Sequence, residues 1–344
     1  MLRFKMKNMT KSILFILGFA FFIYLVLDLG IDNIINNILE TGWYFIPIVG
    51  IWLFIYFFNT VAWNYIINDK RVSFSDLFSI TISSYALNYM TPFFHLGGEP
   101  YKVIALKKYL GTNRSISVTI SYLMLHFLSS FLFWIAAIAA IYFWLPVSGT
   151  AYLILTVCLL VFFVVVYFFL KGYKNGVTKS FAYFIAKLPL LKKFNRAIFN
   201  KEEFFNDIDE NIKELLNNRP GDFLAANIFE LLSRLIGTLE FYFILTALGY
   251  SPTLLDSFLI NAGASIISNL LFIVPFEVGV KEGGLYLTLQ LLNFTPLVGV
   301  YIALVNRIRE LFWIMIGLLL MVITGKRNIK KEIKEVVIDE SYIV

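Results

Sequence analysis

The sequence predicts an all-α fold: a polytopic transmembrane helical bundle with two inverted repeats, each containing a re-entrant helical hairpin. Three observations lead there. The 344-residue chain is 59% apolar and 15% charged, whereas about a quarter of a soluble domain is charged. Its apolar residues gather in uncharged runs at 13–27, 43–67, 77–94, 151–170, 257–275 and 311–324, most of them near the roughly 20 residues that cross a bilayer core. Its Lys and Arg residues fall largely between those runs, as they do in short loops retained in the cytoplasm.

The basic residues set the order of elements. The first apolar run follows Arg3, Lys5, Lys7 and Lys11 with no small-residue cleavage site after it, so it reads as a retained first helix, 12–29, leaving the cytoplasm. Helix two, 43–67, returns to Lys70 and Arg71. The next four basic residues, from Lys102 to Arg114, are cytoplasmic only if 77–110 enters the membrane and comes back. Its return arm, from Tyr101 to Leu110, is too short to span at about 1.5 Å per residue. Helix three, 116–145, goes out, and helix four, 151–170, comes in. A cytoplasmic amphipathic linker, 171–222, then carries ten basic residues. Helix five, 223–248, goes out, a second hairpin, 255–293, enters from outside, and helix six, 296–324, leads to a basic cytoplasmic tail, 325–344.

This order keeps 25 of the 29 basic residues cytoplasmic. A full crossing at either hairpin would move basic clusters outside, against the orientation rule. One membrane domain therefore occupies 1–344, with halves at 12–170 and 223–324, both termini on the cytoplasmic side, and the cell membrane as its location. The net charge of +6 is explained by these flanking signals, so nucleic acid is not an expected partner.

The two hairpins share a motif. Pro92-Phe93 is followed by Glu99, and Pro275-Phe276 by Glu282, seven residues after the proline in both. Gly97, Gly98, Gly279, Gly283 and Gly284 lie beside them, and Leu-Phe-Trp-Ile recurs at 132–135 and 311–314. Pro removes a backbone donor and Gly permits close backbone approach. Such broken backbone survives at membrane depth only inside protein or along a wet cavity. Inverted repeats whose broken helices meet near the midplane are a recurrent transporter plan, so a central polar site is expected.

The other four basic residues, Arg234, Lys281, Arg307 and Arg309, lie within membrane segments of the second half, where each charge costs roughly 2.5 to 3.5 kcal/mol on insertion scales. Glu230 and Arg234 are four apart on one helix face, and Arg307 and Glu310 three apart. Two accounts remain open. Glu230, Arg234 and Glu240 suit structural ion pairs, with Glu230–Arg234 the expected pair. Glu99, Lys102, Lys281, Glu282, Arg307 and Arg309 cluster with the broken segments and suit substrate binding. His126, Glu99 and Glu282 are candidates for proton coupling, His126 also fitting a packing role.

Other chemistries find little footing. Cys158 is single, and His95 and His126 are isolated, so no metal site is expected. Gly325-Lys326 lacks the rest of a Walker loop, and no cofactor is implied. Asp207 and Asp209 read as the solvated face of an amphipathic helix rather than as a sugar-donor motif.

The segments LNYMTPFFHLGGEPYKVIALKKYLG, FIVPFEVGVKEGGLY and VNRIREL resemble the membrane region of lysylphosphatidylglycerol synthases, a family with flippase-like stand-alone members and an archaeal branch associated with lipid-linked glycan assembly. The resemblance runs from about residue 14 to 324. Pro92, Gly98, Glu99 and Lys102 fit the first family motif, whose last position is commonly Arg. Pro275, Gly279 and Glu282 fit the second, and Arg307 or Arg309 falls in the family's arginine region. The aminoacyl-transferase domain of the full-length enzymes is not in this sequence, so an enzyme is the less expected outcome. The resemblance implies a translocator of a polar-headed phospho- or glycolipid, with a membrane lipid as its partner and a homo-oligomer or a lipid-modifying enzyme as further partners. A membrane-embedded transferase, or an accessory subunit of lipid-linked glycan synthesis, is the alternative.

Overall fold

Uncharged runs of this length can satisfy their backbone groups in lipid only by coiling into helices, and in the computed structural model every described element is helical. The described residues are 30–91, 97–145, 149–175, 202–271, 279–296 and 298–340, with Ile23 and Leu27. The predicted first helix apart from those two residues, the proline-bearing hairpin tips at 92–96 and 272–278, and residues 176–201 of the linker lie outside them.

The first described helix, α1 (Ile31–Thr41), was not anticipated. At 100° per residue its surface divides into three sectors. Thr41 is buried and hydrogen-bonded to Tyr301 at 2.9 Å. Ile31, Ile35 and Leu39 form an exposed apolar stripe, and Asp32, Asn36 and Glu40 an exposed polar one. Bundle, apolar phase and water in turn are what a helix at a membrane boundary meets. Apolar residues four apart in the sequence were the available signal.

A single 3-10 turn leads into α2 (Phe45–Ile67), which stops at Asn68 in the left-handed conformation. In the turn beyond, Arg71 donates to Asp69 at 2.6 and 2.9 Å, and these bonds hold the Asp69 carboxyl down at about 2. Then come α3 (Phe74–Tyr89), α4 (Gly98–Leu110), α5 (Thr112–Trp144) and α6 (Gly149–Asn175). The second half holds α7 (Glu202–Asn217), α8 (Pro220–Ala247), α9 (Leu254–Leu270), α10 (Val280–Leu291) and α11 (Val298–Glu340).

Helix lengths separate these elements into two kinds. By length and composition, Ile35–Ile67, Thr112–Trp144 and Tyr152–Gly172 are long and apolar enough to cross a membrane. Helices α8 and α11, with 28 and 43 residues, are long enough but carry charges. Helices α3, α4, α9 and α10 have 16, 13, 17 and 12 residues, or about 24, 20, 26 and 18 Å, short of the roughly 30 Å hydrocarbon core. The last helix runs to Glu340, so the expected tail after residue 324 is a helical continuation through most of its length.

Packing repeats in the two halves. Helix α8 lies along α2, α3 packs on α4 as α9 does on α10, and α5 follows α4 as α11 follows α10. Across the halves α11 lies along α3, and α5 touches α9. Small residues set the close crossings. A Cβ on Gly98 would stand 2.2 Å from the Ser84 carbonyl oxygen, and one on Gly317 would stand 2.5 Å from Ala86 Cβ. Gly98→Val is therefore expected to force α3 and α4 apart and cost about 1–3 kcal/mol or more, read as a lower thermal midpoint in detergent.

One core surrounds Trp63, Leu77, Leu106 and Leu125, and another Ile48, Ile244, Ile260 and Leu289. Helix α7 buries Ile208 and Ile212 against Met124. Asp209 is buried with them, which corrects the solvated position expected for it, and Asp207 accepts from Asn113 at 3.2 Å. The amphipathic face turns Asp209 inward because it directly follows Ile208.

Candidate functional site

Short helices α4 and α10 begin with the two motif glutamates. Gly98 lets α4 start against α3, and its N–H donates to Asn88 Oδ1 at 2.7 Å. Gly279 takes a positive φ of 78°, open to glycine, and its N–H donates to Glu282 Oε2 at 2.9 Å, so the glutamate caps its own helix.

Around α4, Lys102 is 3% exposed and donates to Glu99 Oε1 at 2.9 Å. Its ammonium lies over the rings of Tyr122 and Trp63, 4.6 and 5.3 Å from their centroids. Glu99 Oε2 and Trp63 Nε1 are buried without a hydrogen-bond partner. Tyr122 donates to Glu230 Oε2 at 3.2 Å, and the other Glu230 oxygen meets the His126 ring.

Arg234 takes a different partner from the one expected. It donates to Ser129 Oγ at 3.0 Å and to the His126 carbonyl at 2.8 Å, both on α5, while Glu230 is engaged by His126 and Tyr122. Four-residue spacing placed both side chains on one face, and the neighbouring helix then supplied closer partners for each.

Around α10, Arg309 and Glu240 are each 3% exposed and meet at 3.0 Å. The Arg309 guanidinium lies 3.7 Å from the Trp52 ring centroid, and Trp52 Nε1 donates to Glu240 Oε2 at 2.7 Å. Arg309 also donates to the Tyr89 hydroxyl at 3.2 Å. Nearer the surface, Lys281 meets Glu310 at 2.6 Å and Arg307 meets Glu282 at 2.8 Å, these side chains being 17 to 26% exposed. Glu310, expected beside Arg307, is held by Lys281 and lies 3.7 Å from Arg309.

Helix α3 joins the two groups. Tyr85 accepts from Asn59 at 2.7 Å and interacts with Tyr122, and Tyr89, one turn on, reaches Arg309. Sequence reasoning did not single out these tyrosines or Trp52 and Trp63. Tyr85, Asn88 and Tyr89, in an uncharged run directly before the first motif, were the signal for α3.

The arrangement is that of a helical integral membrane protein with charged side chains of both signs gathered between its long and its half-length helices. The chain belongs to the lysylphosphatidylglycerol synthase TM region family, whose pattern it matches over residues 11–317. Membership places it among membrane proteins of lipid modification or translocation. No match was found among curated proteins or among solved structures.

Proposed function

We propose that the chain translocates a polar-headed phospho- or glycolipid across the cell membrane. The observation that carries this reading is the mixed-sign series of interacting charged and aromatic side chains that runs from Glu99 and Lys102 on α4, through Tyr122, Tyr85 and Tyr89, to Arg309 and the ion pairs of α10 and α11. A charged headgroup crossing the hydrocarbon layer needs partners of both signs along its way, while the acyl chains stay in lipid. Lys102 and Arg307 suit a phosphate, and the glutamates offset the excess positive charge.

Re-entrant hairpins fit the same reading. Helices α3 with α4, and α9 with α10, are each too short to span singly, and the matched packing of the halves supports inverted repeats with entry from opposite faces. Cysteines placed at Thr112, Asn175 and Asn328 are expected to label from the cytoplasm, and one at Pro252 from outside. Labelling at Thr112 from outside would sink the first hairpin.

The function is tested by reconstituting the protein in vesicles with fluorescent lipids that differ only in headgroup. Inner-leaflet label should become accessible to an impermeant quencher faster for charged headgroups than in protein-free vesicles. Equal rates for every headgroup with and without protein would remove translocation.

A further inference from the structure

Resting on the translocation reading, we propose that His126 and Glu230 form a proton-binding couple whose loading is linked to an anionic headgroup at Lys102. The argument is one of charge. Facing the His126 ring are Glu230 and Arg234 from α8, Lys102 from α4 with Glu99 behind it, and Tyr122 from α5, with Tyr85 of α3 reaching the group through Tyr122. The other neighbours of α5 meet it elsewhere. Helix α2 presents the Trp63 ring to Tyr122, α6 and α9 meet Trp134 through Phe162 and Ser265, and α7 meets Met124 and Asn113.

Two positive and two negative charges therefore cancel in this cluster when the ring is neutral. A lipid phosphate brought to Lys102 adds a negative charge that none of the four offsets. One proton on the His126–Glu230 couple restores neutrality, and the effect is large because charges interact strongly in a site poor in water. Imidazole is the side chain that loads near neutral pH.

Enclosure differs within the couple. The His126 side chain is 33% exposed whereas Glu230 is wholly enclosed, so the ring is the outer member, from which a proton would be shared with the carboxylate, the pair titrating as a unit. Tyr122 connects the proton to the anion site, since its ring face carries the Lys102 ammonium and its hydroxyl donates to Glu230. The cluster around α10 balances Lys281, Arg307 and Arg309 against Glu240, Glu282 and Glu310 and has no histidine, so the coupling belongs to the cluster around Lys102. By reciprocity, an anion that favours the proton is itself bound more tightly when the proton is present.

The chain has two histidines, so His95→Asn leaves His126 as the one imidazole signal. Its ring nitrogens are followed by NMR through a pH titration of the full chain in discs of an uncharged glycolipid, with and without phosphatidylglycerol, at salt high enough to screen surface potential. The midpoint is expected about one pH unit higher with phosphatidylglycerol, equivalent to about tenfold coupling, and this difference should vanish in Lys102→Met. Equal midpoints in the two discs overturn the linkage even if lipid is translocated. A full difference surviving in Lys102→Met overturns the placement of the phosphate. A difference lost with Lys102, in a protein that moves no lipid, upholds the coupled site and removes the translocation reading instead.

Discussion

Arg309→Met is expected to lower stability by about 3–5 kcal/mol, the usual loss when one partner of a buried ion pair is removed. Glu240 would remain enclosed with only the Trp52 indole donating to it, and Tyr89 would lose its guanidinium donor. The pair joins α8 to α11, and its aromatic neighbours bring in α2 and α3, so the loss should appear as a lower cooperative unfolding midpoint in detergent. Pairing it with Glu240→Leu should recover much of the difference, because apolar side chains can replace a buried pair at little cost. A single variant as stable as the parent would show that this pair does not hold the four helices together.

Arg307→Ala and Glu282→Gln should behave in the opposite way. Their side chains are 20% and 26% exposed, against 3% for the Arg309–Glu240 pair, and a less enclosed pair loses less when broken, so the unfolding midpoint should move less than in Arg309→Met. If Arg307 meets a headgroup phosphate during passage, the initial rate of lipid movement should fall about tenfold or more, corresponding to about 1.4 kcal/mol of barrier. Arg307→Lys should rescue only part of the rate, since an ammonium keeps the charge and loses the bidentate fork. Stability falling in proportion to activity in both variants would make this pair structural as well. The two experiments together separate residues that the sequence had grouped as one substrate site, because burial differs between them.

Much of the fold was legible. The runs at 43–67 and 151–170 mark α2 and α6, since crossing lipid demands unbroken apolar length. The charged residues of the last helix were placed correctly within it. Two local features escaped. Helix α1 was not anticipated because it is too short to register as a span, although Ile31, Ile35 and Leu39 carry its period. The continuation of α11 to Glu340 was not anticipated because helix six was bounded by its apolar stretch, and charge ends that stretch but not the backbone hydrogen bonding.

What the sequence determined by itself is the class of protein, its family and the placing of the costly charges, because apolar length, glycine and proline, and ionic side chains act through local backbone and solvation rules. What only the tertiary structure decided is who partners whom. Spacing put Glu230 and Arg234 on one face, yet the packing of α8 against α5 gave Glu230 to His126 and Tyr122 and gave Arg234 to Ser129. Glu310 likewise went to Lys281 on another helix rather than to its neighbour Arg307. A charge in a site of low dielectric takes the partner that best replaces its lost hydration, and in a bundle that partner can come from any helix that packing brings close.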